Sequence, residues 1–317
     1  MTARGRGLSR AAQAASQHAV ALGYLTGWRL VRLLPERAAI GAFTRAADEV
    51  HRRQGRSVQR LHANLGRVRP DLDPAALDRL TREAVRSYLR YWAESFRLPA
   101  WPIEDLVRRT RTVNEEAFRK VYADGRGVVA PLPHMANWDW AGAWASATGM
   151  PLTTVAERLR PERLYDEFVA YRASLGMEIL PAGDPATFSM LVDRLREGRL
   201  VPLLADRDLS RSGVEVTLCG LPARMPRGPA ELARRTGAAL IPVTLAYDGP
   251  EMVITFHDRI PVVDGEDGAA VMMQAVADVF TTAFRADPVD WHMMQRVFTA
   301  DLDPGRIPPA PPASAGS

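Results

Sequence analysis

Gly127-Val128-Val129-Ala130-Pro131-Leu132-Pro133-His134-Met135-Ala136-Asn137-Trp138-Asp139 is the stretch that decides the fold. It opens as a short apolar run after a glycine, the composition of a buried strand. A helical pattern follows from about residue 137 to 147. Working outward, the same alternation recurs downstream. Strands are expected at 152–156, 178–180, 200–204, 214–218, 239–246 and 252–257. Helices are expected at 161–175, 186–196, 229–236 and 269–286. Strands that alternate with helices make an α/β fold, with a mixed, largely parallel central sheet flanked by helices. In such sheets ligands sit at the carboxyl ends of the strands.

Upstream the texture is helical. One helix is expected to stop at Pro35 and a second to run over 38–55. A third is expected to start at Asp73-Pro74, a cap followed by a first-turn proline, and to carry Leu77, Leu80, Val85, Tyr88, Leu89 and Trp92. The expected organisation is a helical amino-terminal region over 1–125, an α/β core over 126–305 and a disordered tail over 306–317, rich in Pro, Ala, Ser and Gly.

The chain has 317 residues, 47% apolar and 25% charged, the balance of a globular protein. Lys120 is its only lysine, a coding bias that carries no functional weight. The net charge of +4 favours anionic partners, phosphate-bearing substrates or an anionic membrane surface. Nucleic acid is not expected, because no binding motif accompanies the scattered arginines. Cys219 is the single cysteine, so there is no disulfide framework, and it reads as a small core residue. The remaining histidines, His18, His51, His62, His257 and His292, lack metal-ligand spacing, and neither a metal nor a cofactor is expected. Residues 11–28 are uncharged but hold Gln13, Ser16, Gln17 and His18, which does not suit a spanning helix. Val20, Tyr24, Trp28 and Val31 recur at helical spacing beside Arg29 and Arg32. Such a helix either lies on a membrane or packs on the body of the protein.

His134 is the residue with chemistry to offer. It is expected in the turn between strand and helix, with Asp139 in the first helical turn, where the carboxylate can hold one ring nitrogen while the other faces a substrate hydroxyl. On one continuous helix a separation of five would turn the two side chains apart. An alcohol needs a base to attack a thioester, and no Ser or Cys near His134 is placed as a nucleophile.

These blocks, in this order, resemble the lysophospholipid acyltransferase superfamily, in particular the branch that holds the late acyltransferases of lipid A and the phosphatidylinositol mannoside acyltransferases. The resemblance covers roughly residues 15 to 300. It is carried by Gly23-Tyr24 to Pro35, His134 to Asp139, Arg172 with Gly176, Asp206-Arg207-Asp208, Gly220 with Met225-Pro226-Arg227-Gly228-Pro229, and Trp291-His292-Met293-Met294-Gln295-Arg296. Ala136 stands where many lipid A enzymes have Gly, Asp139 where many have Glu, and Asp-Arg-Asp replaces an Asp-Gln pattern. These departures favour a mannoside acceptor.

The resemblance implies an acyltransferase that uses acyl-CoA and a membrane glycolipid, at the cytoplasmic face of the plasma membrane and peripheral to it. It implies catalysis by His134 with Asp139 or Asp208, which compete for one role because imidazole has two nitrogens. Substrate contacts are expected at Arg172, Asp206, Arg207, Asn137, Trp138, Met225, Arg227 and Gly228. Arg172 would bind phosphate, and Arg158, Arg160 and Arg163 read as a solvated face. The turn at Met225–Pro229 either offers N–H groups to an anion or is a tight helix entry. A lipid A precursor or a lysophospholipid is the alternative acceptor. A non-catalytic lipid-binding protein is the reading from another class.

Overall fold

The computed structural model describes residues 27, 28, 30–158, 162–208 and 212–302. The expected tail, and Val20 and Tyr24 of the amino-terminal stripe, lie outside the described residues. The amino-terminal part is helical: α1 (Glu36–Arg52), α2 (Arg56–Val68), α3 (Pro74–Arg97) and α4 (Ile103–Arg108). Pro35 precedes α1, and the Asp73 side chain caps α3 by accepting from the Ala76 N–H at 2.7 Å. α2 falls inside no expected helix, although Val58, Leu61, Leu65 and Val68 bury one face of it. Val58, Leu61 and Leu65 join Ala47, Ala84 and Val85 into a shared apolar core with α1 and α3, while Val68 packs into the main core.

The remainder is the α/β core. Its elements are β1 (Thr110–Val113), α5 (Glu115–Ala123), β2 (Val128–Leu132), α6 (Trp138–Ala147), β3 (Leu152–Ala156), α7 (Glu162–Ser174), β4 (Met177–Pro181), α8 (Thr187–Arg196), β5 (Leu200–Leu204), β6 (Val214–Leu218), β7 (Leu221–Met225), α9 (Gly228–Thr236), β8 (Ala239–Leu240), β9 (Val243–Asp248), β10 (Glu251–Phe256) and α10 (Gly268–Ala286). The central sheet has the order β4-β3-β5-β2-β8 and is parallel throughout. A second, mixed sheet has the order β1-β10-β9, and β6 with β7 forms a hairpin. Three details differ from the sequence reading. β1, α5 and β7 are additional elements, and the expected strand over 239–246 breaks at Pro242 into β8 and β9. Cys219 is buried, but it sits with Gly220 in the hairpin turn, both at positive φ.

The register of the central sheet positions the site. β2 pairs with β5 so that Leu132 lies opposite Leu204, and the Ala205 N–H still donates to the Leu132 carbonyl at 2.9 Å. Two residues beyond each strand end stand His134 and Asp206. Among the described residues, no helix is long and apolar enough to cross a membrane. Trp28 is 5% exposed and packs on Phe96 and Tyr171, with its indole N–H donated to the Phe96 carbonyl at 3.1 Å. Val31 joins the same cluster, so the described part of the stripe faces the protein. Leu30, Leu33 and Leu34 are instead exposed, Leu33 by 80%.

Candidate active site

His134 leaves β2 in a turn that a second segment clamps. Its backbone carbonyl accepts from the His292 N–H at 2.8 Å, and the Ala136 N–H donates to the Asp290 carbonyl at 2.9 Å. Ala136 has a φ of +43°, the left-handed region where glycine fits better, so the turn holds a strained residue two positions after the histidine. Asn137 then caps α6 by accepting from the Trp140 N–H at 3.0 Å.

The imidazole is held by Asp206. His134 Nδ1 lies 2.6 Å from Asp206 Oδ1, and the His134 N–H donates to Asp206 Oδ2 at 3.0 Å. Trp291 Nε1–H donates to the same oxygen at 2.9 Å. Asp206 is fully buried, whereas the His134 side chain is 25% exposed. Burial pushes the Asp206 carboxyl up, but His134 and Trp291 outweigh it and hold it below its ordinary value. The carboxylate therefore stays ionised near neutral pH and fixes the tautomer with the proton on Nδ1. Among the described residues Nε2 meets no protein partner, so it is free to accept a proton from a substrate.

This pairing corrects two expectations. Asp139 does not meet His134. It is buried and receives Arg172 Nε at 2.7 Å and the Tyr91 hydroxyl at 3.0 Å. Burial opposes the Arg172 charge, but Asp139 outweighs it and raises the guanidinium further. Arg172 is thus committed to an ion pair and is not a free phosphate binder. Asp208 is only half-buried, and its N–H pairs with the Arg224 carbonyl at 2.8 Å. Asp206, expected as a substrate contact, takes the orienting position.

The other expected contacts divide. Asn137 is fully buried, with its amide N–H donated to Glu94 at 3.2 Å, and is spent on structure. Met225 is fully buried at the end of β7. Arg227 pairs with Glu231 at 3.0 Å one helical turn on, and Gly228 opens α9, so that turn is a helix entry. Arg207 stays close to the dyad in sequence; its guanidinium lies 3.9 Å from Glu157, and among the described residues its buried Nε has no hydrogen-bond partner. Trp138 faces the site: its ring centroid lies 5.4 Å from that of His134, edge to face.

Sequence reasoning missed three contributors. Trp291 holds Asp206, and the motif containing it was legible but had no assigned role. Behind it, Ser87 donates to Asp290 at 2.6 Å and lies 2.9 Å from His292 Nε2. Burial pushes Asp290 up to about 6 and His292 down to about 3, so the histidine beside His134 is neutral. The third contributor is a void. One face of the sheet, Ala130 and Leu132 on β2, Leu152 and Thr154 on β3, and Leu200, Pro202 and Leu204 on β5, lines a largely apolar cavity of about 90 Å³. These are alternate residues, the same face of each strand. The opposite wall is Trp138, Ala141, Gly142 and Ala145 of α6, spaced three and four apart. Three of those four are small, and that leaves the space open. Asp139 and Arg172 also line the cavity, and Trp138 links it to the dyad, since the same indole meets the His134 ring.

A buried carboxylate–histidine pair at the carboxyl ends of a parallel sheet, with an apolar cavity near it, is a site suited to general-base chemistry on a substrate with an apolar part. The chain matches the family of bacterial lipid A biosynthesis acyltransferases over residues 11–300, and it belongs to that family. It is similar to the phosphatidylinositol mannoside acyltransferase of Mycolicibacterium smegmatis strain mc(2)155, 43% identical over 289 residues that cover 90% of this chain and 93% of that protein. The phosphatidylinositol mannoside acyltransferase of Mycobacterium tuberculosis strain CDC 1551 is likewise 43% identical, over 89% of this chain and 90% of its own length. The protein is an acyltransferase of glycolipid synthesis.

Proposed function

We propose that this acyltransferase moves a long acyl chain from coenzyme A onto a mannose hydroxyl of phosphatidylinositol mannoside, with His134 as general base and Asp206 as its orienting carboxylate. The observation that carries the reading is the Asp206–His134 pair with Nε2 free beside the apolar cavity. The acceptor hydroxyl hydrogen-bonds to Nε2 and loses its proton there as its oxygen attacks the thioester carbonyl. The tetrahedral intermediate collapses, the C–S bond breaks, and the imidazolium returns the proton to the leaving thiolate. Asp206 stabilises the imidazolium while it exists. The acyl chain lies in the cavity, where burial of its methylenes contributes about 0.8 kcal/mol each.

Transfer is direct, without an acyl-enzyme. The one cysteine sits in the β6–β7 turn, donates its backbone N–H to Thr281 at 2.9 Å, and has its thiol pushed up by burial. The enzyme works at the cytoplasmic face of the plasma membrane, as a peripheral protein. The exposed leucines Leu30, Leu33 and Leu34 support contact with lipid, since contiguous exposed apolar side chains favour an interface.

The family description keeps a lipid A precursor as a second acceptor. Purified protein, labelled palmitoyl-CoA and a panel of mannoside, lipid A precursor and lysophospholipid acceptors decide between them. Label in the mannoside lipid is the expected result. Label only in another acceptor, or only in free fatty acid, refutes the reading.

A further inference from the structure

The 291–296 segment reaches beyond the dyad. Its first two residues build the site, through Trp291 on Asp206 and the His292 N–H on the His134 carbonyl. Gln295 and Arg296 then line a separate open recess of about 320 Å³ against α2. Arg56, Gln59, Arg60 and Asn64 form the facing wall, one side of that helix. Asn64 ties the walls together, because its amide donates to the Met293 carbonyl at 2.8 Å and the Gln295 carbonyl at 2.9 Å.

The charge of this recess is lopsided. Arg56, Arg60 and Arg296 line it with one carboxylate, Asp301. Asp301 is already held by Arg67, whose NH2 group donates to it at 2.7 Å. α2 contains no Asp or Glu, and among the described residues no ion pair involves Arg56 or Arg60. Arg56 also sits in the first turn of α2, where the helix dipole disfavours a cation, so helix stability does not explain it. A concave recess with paired guanidinium forks suits a tetrahedral anion with several acceptor oxygens.

We propose that the recess between α2 and residues 295–301 binds a phosphate ester, namely the phosphodiester of the lipid whose hydroxyl is acylated. This rests on the transferase reading above. Coenzyme A offers the same phosphate chemistry, but its acyl chain leaves His134 past Trp138 into the apolar cavity. The chain segment 292–296 instead runs from the His134 carbonyl, where the His292 N–H donates, to the recess that Gln295 and Arg296 line. Gln295 is three residue steps from His292, a span of at most about 10 Å. A headgroup whose hydroxyl rests on His134 Nε2 can therefore extend its phosphate into the recess.

The test titrates the full-length protein with glycerophosphoinositol, coenzyme A and neutral myo-inositol. It compares wild type with Arg56→Ala/Arg60→Ala and with Arg56→Lys/Arg60→Lys. Both arginines are exposed, so the fold is expected to survive. Glycerophosphoinositol affinity should fall roughly tenfold per guanidinium removed. The lysine pair should recover part of it, and coenzyme A should bind all three proteins alike. In the transfer assay the alanine pair should raise KM for the acceptor and leave KM for the thioester in place. Unchanged glycerophosphoinositol binding overturns the proposal, and a loss confined to coenzyme A overturns it in favour of the donor. Wild-type protein that binds glycerophosphoinositol through these arginines yet transfers no acyl group would sink the transferase reading and leave the phosphate site standing.

Discussion

Asp206→Asn keeps the shape of the side chain and replaces one acceptor oxygen by an amide. Asp206 Oδ2 receives two N–H donors, from the His134 backbone and the Trp291 indole, while Oδ1 faces His134 Nδ1. An asparagine can keep its oxygen on the two donors only by turning its NH2 toward the imidazole. Nδ1 must then act as acceptor, which moves the ring proton to Nε2, the atom that has to accept the substrate proton. The base is present in the wrong tautomer. The loss is that of general-base catalysis, about 10²–10⁴-fold in kcat. Stability should change little, because a lost charge-assisted bond is offset by removal of a buried charge. The assay is kcat at saturating palmitoyl-CoA and acceptor, with Tm measured on the same preparation. A kcat within a few-fold of wild type in a folded protein would refute the orienting role of Asp206.

Asp139→Asn should behave in the opposite way. It leaves the buried Arg172 without its counter-charge, a loss of about 3–5 kcal/mol, read as a lower urea midpoint, and a purely kinetic defect would contradict this. Ala145→Leu should fill the cavity, so transfer of palmitoyl falls while that of a short acyl group persists; about 0.8 kcal/mol, or roughly fourfold, is expected for each methylene excluded, and equal losses for both chains would count against the cavity. Asp290, pushed up to about 6, keeps a proton in the native state that the unfolded chain releases near pH 4. Stability from this group therefore falls as pH rises from about 4 to 6, by about 3 kcal/mol at most. His292, pushed down to about 3, acts with the opposite sign, since only the unfolded chain protonates below about pH 6.5. Asp290→Asn should then leave a curve that climbs more steeply with pH than wild type across that window, and parallel curves would show that Asp290 does not titrate this way.

How far the site could be read in advance follows from where its information lies. The strand–turn–helix around His134 is local, carried by an apolar run, a polar turn and an Asn cap, and it was legible. So were most strands of the parallel sheet, because each is a short apolar run beside a helix. The partner of His134 is not local. His134 and Asp206 meet because each stands two residues past a strand end, and Leu132 lies level with Leu204. Without the pairing of β2 with β5, Asp139 and Asp208 were equally reasonable candidates. Trp291 is further still, brought in by a carboxyl-terminal segment that bridges Met135. The helix α2 was missed because its four apolar positions are diluted by arginines and polar residues, although their spacing is helical. β1 was missed because Thr110–Val113 is short and carries Arg111.

The claim that His134 abstracts the proton of a lipid hydroxyl is tested most directly by His134→Ala. The measurement is the rate of labelled palmitoyl transfer from palmitoyl-CoA to phosphatidylinositol mannoside at saturating substrates. The side chain is partly exposed in a turn clamped by backbone hydrogen bonds, so the fold should hold. A fall of about 10²–10⁴-fold with an unchanged Tm is the predicted result. Transfer within a few-fold of wild type would contradict the account.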